Sequence, residues 1–198
     1  KEGILSFNVE SNSELKRIEE IAENLNITAS VSLRFNPDIN SGGHEYISTG
    51  KKGDKFGIPS IEETISLCEY IENSKMLQLK GVACHIGSQI LNIESFKMIA
   101  ERTLELIERL EKLGINLGFV DLGGGLGVTY DKEVAPQPSE IINAIEEIFK
   151  NRDEMIVLEP GRSISANAGM LLTKVEYIKD KFLIVDAGMN DLMRPALY

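Results

Sequence analysis

Three short polar motifs each follow an apolar run of the sequence and contain residue types that bind anions or exchange protons. They are HIGS at residues 85–88, GGGLG at 123–127 and EPGR at 159–162. In a parallel α/β fold the carboxyl ends of the strands share one edge of the sheet, and ligands bind at that edge. Motifs at corresponding positions of consecutive strand–helix units therefore predict one shared ligand site.

The GGGLG motif is typical of a loop whose backbone N–H groups approach a phosphate, because glycine has no side chain to block the ligand. A tight turn between a strand and a helix would use the same residues. The spacing does not match the G-x-G-x-x-G dinucleotide motif, and no lysine with serine or threonine completes a Walker loop. In eight-stranded α/β barrels the loops after strands 7 and 8 bind phosphate, which favours GGGLG and EPGR as neighbours around one phosphate.

Glu159 and Arg162 in the EPGR motif have two interpretations. They could form a structural ion pair with each other, since a carboxylate at a strand end is costly when unpaired. Alternatively, Arg162 binds an anion through its planar guanidinium and Glu159 pairs with a positively charged ring nitrogen. Pyridoxal phosphate carries a phosphate at one end and a pyridinium at the other, so it would satisfy both residues.

His85 is one of two histidines in the chain. It is either an ordinary polar residue at a strand end or an imidazole that stacks on the face of a planar cofactor. The other histidine, His44, lies in a glycine-rich segment and is interpreted as part of a loop. At the end of the sequence, Arg194 and Tyr198 are spaced to hold a substrate carboxylate together, although a surface arginine beside a core tyrosine would show the same pattern.

The elements that would position these residues alternate along the chain. Apolar runs of strand length precede amphipathic segments, and Ile99, Leu104, Ile107 and Leu110 form a stripe at helical spacing. Repeated strand–helix units predict a parallel sheet, either doubly wound or closed into a barrel. After Ser165 two strand-like runs follow each other without a helix between them, which indicates the start of an antiparallel region.

Composition excludes several classes of protein. With 42% hydrophobic and 26% charged residues the chain is expected to be globular, and no apolar run reaches the length of a membrane helix. The net charge of −10 argues against nucleic-acid binding. Cys68 and Cys84 indicate neither a disulfide framework nor a metal site, and Cys84 is expected in the core. A cytoplasmic location fits this cysteine usage.

The motifs resemble those of the alanine-racemase-like, fold-type III pyridoxal phosphate decarboxylases. The likeness extends through the whole chain, in family order, and rests on FNVESNSEL, SLRFNPDINSGGHEYISTG, KFGIPS, GVACHIGSQI, DLGGGLGV, EPGRSI and DAGMNDLMRPALY. HIGSQ and MNDLMRPALY favour the branch that acts on diaminopimelate. Relatives that act on ornithine, arginine or carboxynorspermidine remain alternatives, as do a non-catalytic pyridoxal-phosphate-binding protein and a phosphosugar-binding barrel.

The resemblance implies a partial (β/α)₈ TIM barrel, about strands 4 to 8, over residues 1–168 and the beginning of a C-terminal β domain over 169–198. It implies pyridoxal phosphate as cofactor, no metal, a homodimer and loss of carbon dioxide from meso-diaminopimelate to give L-lysine. The implied cofactor-binding residues are His85, Ser88, Gly124, Gly125, Glu159, Gly161 and Arg162. The implied substrate-binding residues are Arg162, Arg194 and Tyr198.

The chain departs from the family pattern in its catalytic residues. The family's Schiff-base lysine lies in a stretch like Y-A-x-K-A-N, which is not found here, and the C-E-S-S-D motif is also missing. Lys51, Lys52 and Lys55 fall in a predicted loop, and Lys80 is expected to precede a strand. We therefore predict an incomplete enzyme with no catalytic residue of its own, which by itself is aggregation-prone or associates through the open side of a five-strand arc.

Overall fold

The computed structural model describes residues 3–39 and 55–193. It contains seven strands and five helices within these ranges, and their order alternates until the last helix. The elements are β1 (Phe7–Val9), α1 (Asn12–Leu25), β2 (Ala29–Arg34), α2 (Ile61–Asn73), β3 (Leu77–Ala83), α3 (Ile93–Glu111), β4 (Phe119–Asp121), α4 (Pro138–Ile148), β5 (Met155–Val157), α5 (Arg162–Ser165), β6 (Val175–Lys179) and β7 (Phe182–Val185).

The first five strands form one parallel sheet in sequential order, β1 to β5. Aligned residues run across it, from Val9 to Leu33, Val82, Val120 and Ile156. Because all five strands are parallel, their carboxyl ends lie along one edge. The predicted parallel α/β architecture, part of a TIM barrel, is confirmed. One detail was wrong, since Lys80 lies inside β3 instead of before it.

Local sequence explains where the helices begin. The side chains of Ser11, Ser60 and Asn92 each accept a hydrogen bond from a backbone N–H in the first turn, at 3.2, 3.1 and 2.8 Å. At the start of α4 the Glu140 carboxylate accepts a hydrogen bond from the Gln137 N–H at 2.7 Å. These caps satisfy N–H groups that have no partner inside the helix, and each is worth about 1 kcal/mol.

The helices cover the sheet in chain order, α1 against β2, α2 against β3 and α3, and α3 against α4. The buried face of α3 includes Ile99, Ile107 and Leu110 as predicted, but it centres on Thr103 and Leu106. Leu104 is only partly buried at the margin of the core. Both cysteines are buried, as expected of Cys84, and burial raises the pKa of each thiol to about 12.

The chain divides into two compact units, one through Ser163 and one from Ile164 onward. In the second unit β6 and β7 form an antiparallel hairpin, and Asp180 in its turn adopts a positive φ of 51°. The boundary after residue 168 and the assignment of a β domain stay predictions. In the described ranges, none of the helices combines the length and apolar character needed to cross a bilayer.

The parallel sheet has two edges, at β1 and β5. Beside β1 a groove of about 340 Å³ is bordered by Ile4, Phe7, Leu25 and Ile27, all of which are largely exposed. An edge strand next to exposed apolar side chains is a template for association. The β1 edge, together with α1, is therefore a candidate surface for the association predicted from the sequence.

We expect Phe7→Lys to weaken self-association of the 198-residue chain expressed by itself. The lysine removes apolar area from the β1 edge and adds a charge that repels a second copy. The midpoint concentration of association should rise about tenfold, since burial of a phenylalanine is worth about 1.5–3 kcal/mol. Light scattering during size-exclusion chromatography over a concentration series would measure this. Val134→Lys, at a residue that is 84% exposed in a loop, is the matched control, and equal behaviour of the two variants would contradict the prediction.

Candidate functional site

A cavity of about 160 Å³ lies at the carboxyl ends of the five parallel strands. Every strand contributes to it, because each chain segment leaves the sheet at this edge. The lining residues are Asn8, Glu10, Arg34, Ala83, Cys84, His85, Asp121 and Glu159. Two residues predicted from the sequence, His85 and Glu159, therefore line one site, as the strand-end argument requires.

The orientation of His85 is fixed by the glycine loop. Its Nδ1 atom accepts a hydrogen bond from the Gly124 N–H at 3.2 Å. A neutral imidazole in this arrangement carries its proton on Nε2. Burial, followed by the nearby Arg34 guanidinium, lowers the pKa of His85. The ring is therefore favoured as a neutral, planar group in a fixed position.

The glycines of the GGGLG loop allow close packing against the neighbouring loops. A Cβ atom on Gly124 would overlap the Glu159 carbonyl oxygen, and one on Gly125 would overlap the carbonyl oxygen of Gly87. Gly123, at φ 67°, accepts a hydrogen bond from the Glu159 N–H at 2.8 Å. The loop thus contacts protein backbone on both sides. Its predicted role toward a phosphate stays a prediction.

Asp121, at the end of β4, was not assigned a role from the sequence. It is buried, lines the cavity beside Glu159, and accepts a hydrogen bond from the Gly123 N–H at 2.9 Å. Burial raises the pKa of Asp121 to about 6, against the opposing effect of the Gly123 hydrogen bond and with a further contribution from the Glu159 carboxylate. A proton shared between the two carboxyl groups, or a cation beside them, would relieve their repulsion.

Arg34, at the end of β2, supplies positive charge to the same cavity. Its guanidinium pairs with the Glu10 carboxylate at 2.6 Å and lies 5.0 Å from the centre of the Phe56 ring. Glu10 also accepts a hydrogen bond from the Gly57 N–H at 3.2 Å. These contacts hold Arg34 in place between β1 and the chain that follows β2. Arg34 is the arginine of the SLRFN motif, and its place at the end of a predicted strand is the sequence signal that could have identified it as a site residue.

Arg162 does not form the ion pair with Glu159 that was one of its two interpretations; the described residues give it other partners. Its Nη1 atom donates to the Gln89 side-chain oxygen at 3.1 Å, and its guanidinium lies 5.9 Å from the centre of the Tyr130 ring. Glu159 instead lies beside Asp121. The structure therefore favours separate partners for the two charged residues of EPGR.

The remaining predicted residues have different positions. Ser88 is half-buried in the loop after β3, next to Gln89, whereas Gly161 is exposed and a Cβ atom there would meet no neighbour. Arg194, Tyr198 and His44 lie outside the described residues, so their roles stay predictions. In the described ranges there is no cluster of side chains that could hold a metal ion.

Comparison with known proteins identifies relatives over the whole chain. Residues 1–166 match the family model described as the pyridoxal binding domain of pyridoxal-dependent decarboxylases. The diaminopimelate decarboxylase of Pseudomonas aeruginosa is 50% identical, covering 99% of this chain and 48% of the relative. That of Haemophilus influenzae is 48% identical, covering 98% and 48%.

A solved structure shows the same fold. The crystal structure of diaminopimelate decarboxylase from Helicobacter pylori complexed with L-lysine matches with a TM-score of 0.94 and 43% sequence identity. The match covers 98% of this chain and 50% of that chain. The chain thus spans about half the length of the relatives that it matches.

We expect Asp121→Asn to change how stability depends on pH. Because the folded protein binds the Asp121 proton more tightly than the unfolded chain, this group stabilises the fold below pH about 3.8, and that contribution is lost as pH rises through about 6. Asparagine keeps an acceptor for the Gly123 N–H and has no charge to lose. Relative to the original protein, the variant should therefore gain about 1–3 kcal/mol of unfolding free energy between pH 4 and pH 7.

Urea unfolding of the cofactor-free protein over this pH range is the measurement. Asp153→Asn, at an exposed aspartate before β5, is the matched control. Parallel profiles for the original protein and Asp121→Asn would contradict the prediction.

Proposed function

Because the chain belongs to the pyridoxal-dependent decarboxylase family, we propose that it is part of an enzyme that removes carbon dioxide from meso-2,6-diaminopimelate to give L-lysine. The observation that carries the proposal is 50% identity over 99% of the chain to a diaminopimelate decarboxylase. The Helicobacter pylori relative, whose structure contains L-lysine, supports the same branch. The proposal includes a homodimer in the cytoplasm, which rests on the resemblance stated from the sequence.

The residues at the strand ends fit the family's cofactor, pyridoxal phosphate. Asp121 and Glu159 place two carboxyl groups at one wall of the cavity. Burial, with a smaller contribution from the Glu159 carboxylate, raises the pKa of Asp121, and a protonated ring nitrogen beside the two groups would favour their charged forms. His85 offers a planar ring in a fixed orientation. Arg162 supplies a cation that a carboxylate does not neutralise in the described structure. The donor set thus has an acidic side for a pyridinium and a basic side for a phosphate.

The proposal assigns the parts of the cofactor to different residues. With the cofactor bound, Glu159 would hold a proton on the ring nitrogen, and the ring would lie against His85. Ser88, Gly124, Gly125, Gly161 and Arg162 would hold the phosphate. When bound, the cofactor supplies an electron sink for the carbanion that remains after carbon dioxide leaves. Glu159 sustains that capacity because a protonated ring nitrogen accepts electrons better than a neutral one.

The substrate is assigned to Arg162, Arg194 and Tyr198. An arginine binds a carboxylate through two parallel N–H donors, so these residues suit the acidic ends of an amino acid such as diaminopimelate. No Schiff-base lysine is assigned within the 198 residues. The cavity at the strand ends, within the described ranges, has no lysine among its lining residues.

The test is carbon dioxide release by the full-length protein with pyridoxal phosphate, supplied in turn with meso-diaminopimelate, L-ornithine, L-arginine and carboxynorspermidine. We expect release from diaminopimelate alone. Release from another substrate would support a pyridoxal-phosphate decarboxylase but contradict the assignment to the diaminopimelate branch. Binding of the cofactor without release from any substrate would favour the non-catalytic alternative.

We expect Glu159→Gln to lower kcat by about 100-fold or more, because a neutral amide cannot hold the proton on the ring nitrogen. The absorption spectrum of the bound cofactor should change as well, since it reports the protonation of the ring. Glu20→Gln, at an exposed glutamate of α1, is the matched control. An unchanged kcat in Glu159→Gln would contradict the role proposed for Glu159 at the ring nitrogen.

A further inference from the structure

Gln89 makes three side-chain hydrogen bonds beside the proposed cofactor site. Its Nε2 atom donates to the Val128 carbonyl at 2.6 Å, and its Oε1 atom accepts from the Val128 N–H at 3.2 Å. The same oxygen accepts from Arg162 Nη1 at 3.1 Å. The Gln89 carboxamide therefore bonds to both the N–H and the carbonyl of Val128, and it also bonds to the guanidinium of Arg162.

The backbone around Gln89 is constrained to permit these contacts. Gln89 has a φ of 58°, in the left-handed region that a residue with a long side chain rarely adopts. The next residue, Ile90, accepts from the Gly127 N–H at 3.0 Å and donates to the Gly125 carbonyl at 2.9 Å. Two loops, one after β3 and one after β4, are thus joined at this point. An unfavourable backbone angle that neighbouring contacts hold in place is a common feature of functional sites.

We propose that Gln89 is a positioning residue, whose carboxamide, fixed on Val128, holds the Arg162 guanidinium in place to bind an oxyanion. The oxyanion is the cofactor phosphate or the substrate carboxylate, so the inference rests on the proposed function of the same site. The Tyr130 ring, 5.9 Å from the Arg162 guanidinium, is a second neighbour that limits its movement.

The chemistry of the carboxamide suits this task. An arginine has five N–H donors, and a neutral acceptor orients the group without cancelling its charge. A carboxylate at position 89 would neutralise Arg162 and compete with the oxyanion. It would also lose the donor that bonds to the Val128 carbonyl. Glutamine thus supplies both an acceptor for Arg162 and a donor for the loop.

The experiment is a double-mutant cycle in the full-length protein with Gln89→Ala, Arg162→Ala and the combined variant. Pyridoxal phosphate affinity is measured on the cofactor-free protein by absorbance titration, and KM and kcat are measured with diaminopimelate. Gln78→Ala, at an exposed glutamine of β3, is the matched control and should change none of them.

We expect Gln89→Ala to weaken oxyanion binding by about tenfold, the value of one hydrogen bond to a charged group. A higher dissociation constant for pyridoxal phosphate would assign Arg162 to the phosphate. A higher KM at constant cofactor affinity and nearly constant kcat would assign it to the substrate carboxylate. In the Arg162→Ala background the same substitution should change either value by less than about twofold.

Equal effects of Gln89→Ala with and without Arg162, or no effect on affinity and KM, would overturn the inference. If the alanine variant does not fold, Gln89→Met keeps the length of the side chain without its hydrogen bonds and is expected to give the same result. Failure of the proposed function is distinguishable, because it would appear as a parent protein that neither binds pyridoxal phosphate nor releases carbon dioxide. Calorimetry with inorganic phosphate would then test the coupling of Gln89 to Arg162 independently.

Discussion

The hydrogen bonds of Gly123 and Gly124 are the constraint on which the arrangement of the site depends. The Gly123 N–H binds the Asp121 carboxylate, its carbonyl accepts the Glu159 N–H, and the Gly124 N–H binds His85. Two consecutive peptide units therefore fix three residues that come from three different strand ends. A side chain on Gly123 would lie 2.5 Å from the Cys84 carbonyl oxygen, so the close approach requires glycine.

The same loop connects the acidic and basic sides of the site. Gly125 and Gly127 form backbone hydrogen bonds with Ile90, which follows Gln89, the hydrogen-bond partner of Arg162. Gly123 and Gly124 instead contact residues that line the cavity with the two carboxyl groups. A change in the loop would thus move both groups of residues at once. The close approach of neighbouring chain explains why the glycines follow one another so closely, since Gly123, Gly125 and Gly127 lie against the loop after β3 and Gly124 lies against Glu159.

Sequence reasoning identified the parallel sheet and the residues at its edge because both follow from short-range patterns. Helical periodicity and alternation of elements predicted the fold, and the strand-end rule brought His85 and Glu159 into one cavity. The contact of Asp121 with Glu159 depends on the register between β4 and β5, which no local pattern determines. The role proposed for Gln89 was missed for a similar reason. It depends on a left-handed backbone conformation, which a glutamine in the sequence does not predict.

The charges at the strand ends differ in how firmly the protein itself satisfies them. Arg34 and Glu10 neutralise each other at 2.6 Å, so this pair can hold its position without a ligand. Asp121 has no cation at comparable distance among the described ion pairs, and its raised pKa shows that its charged form is disfavoured. Burial of a carboxyl group in this state is costly for the protein alone. In the proposed function a protonated cofactor ring beside Asp121 and Glu159 would offset this cost, because the ligand would supply the missing positive charge.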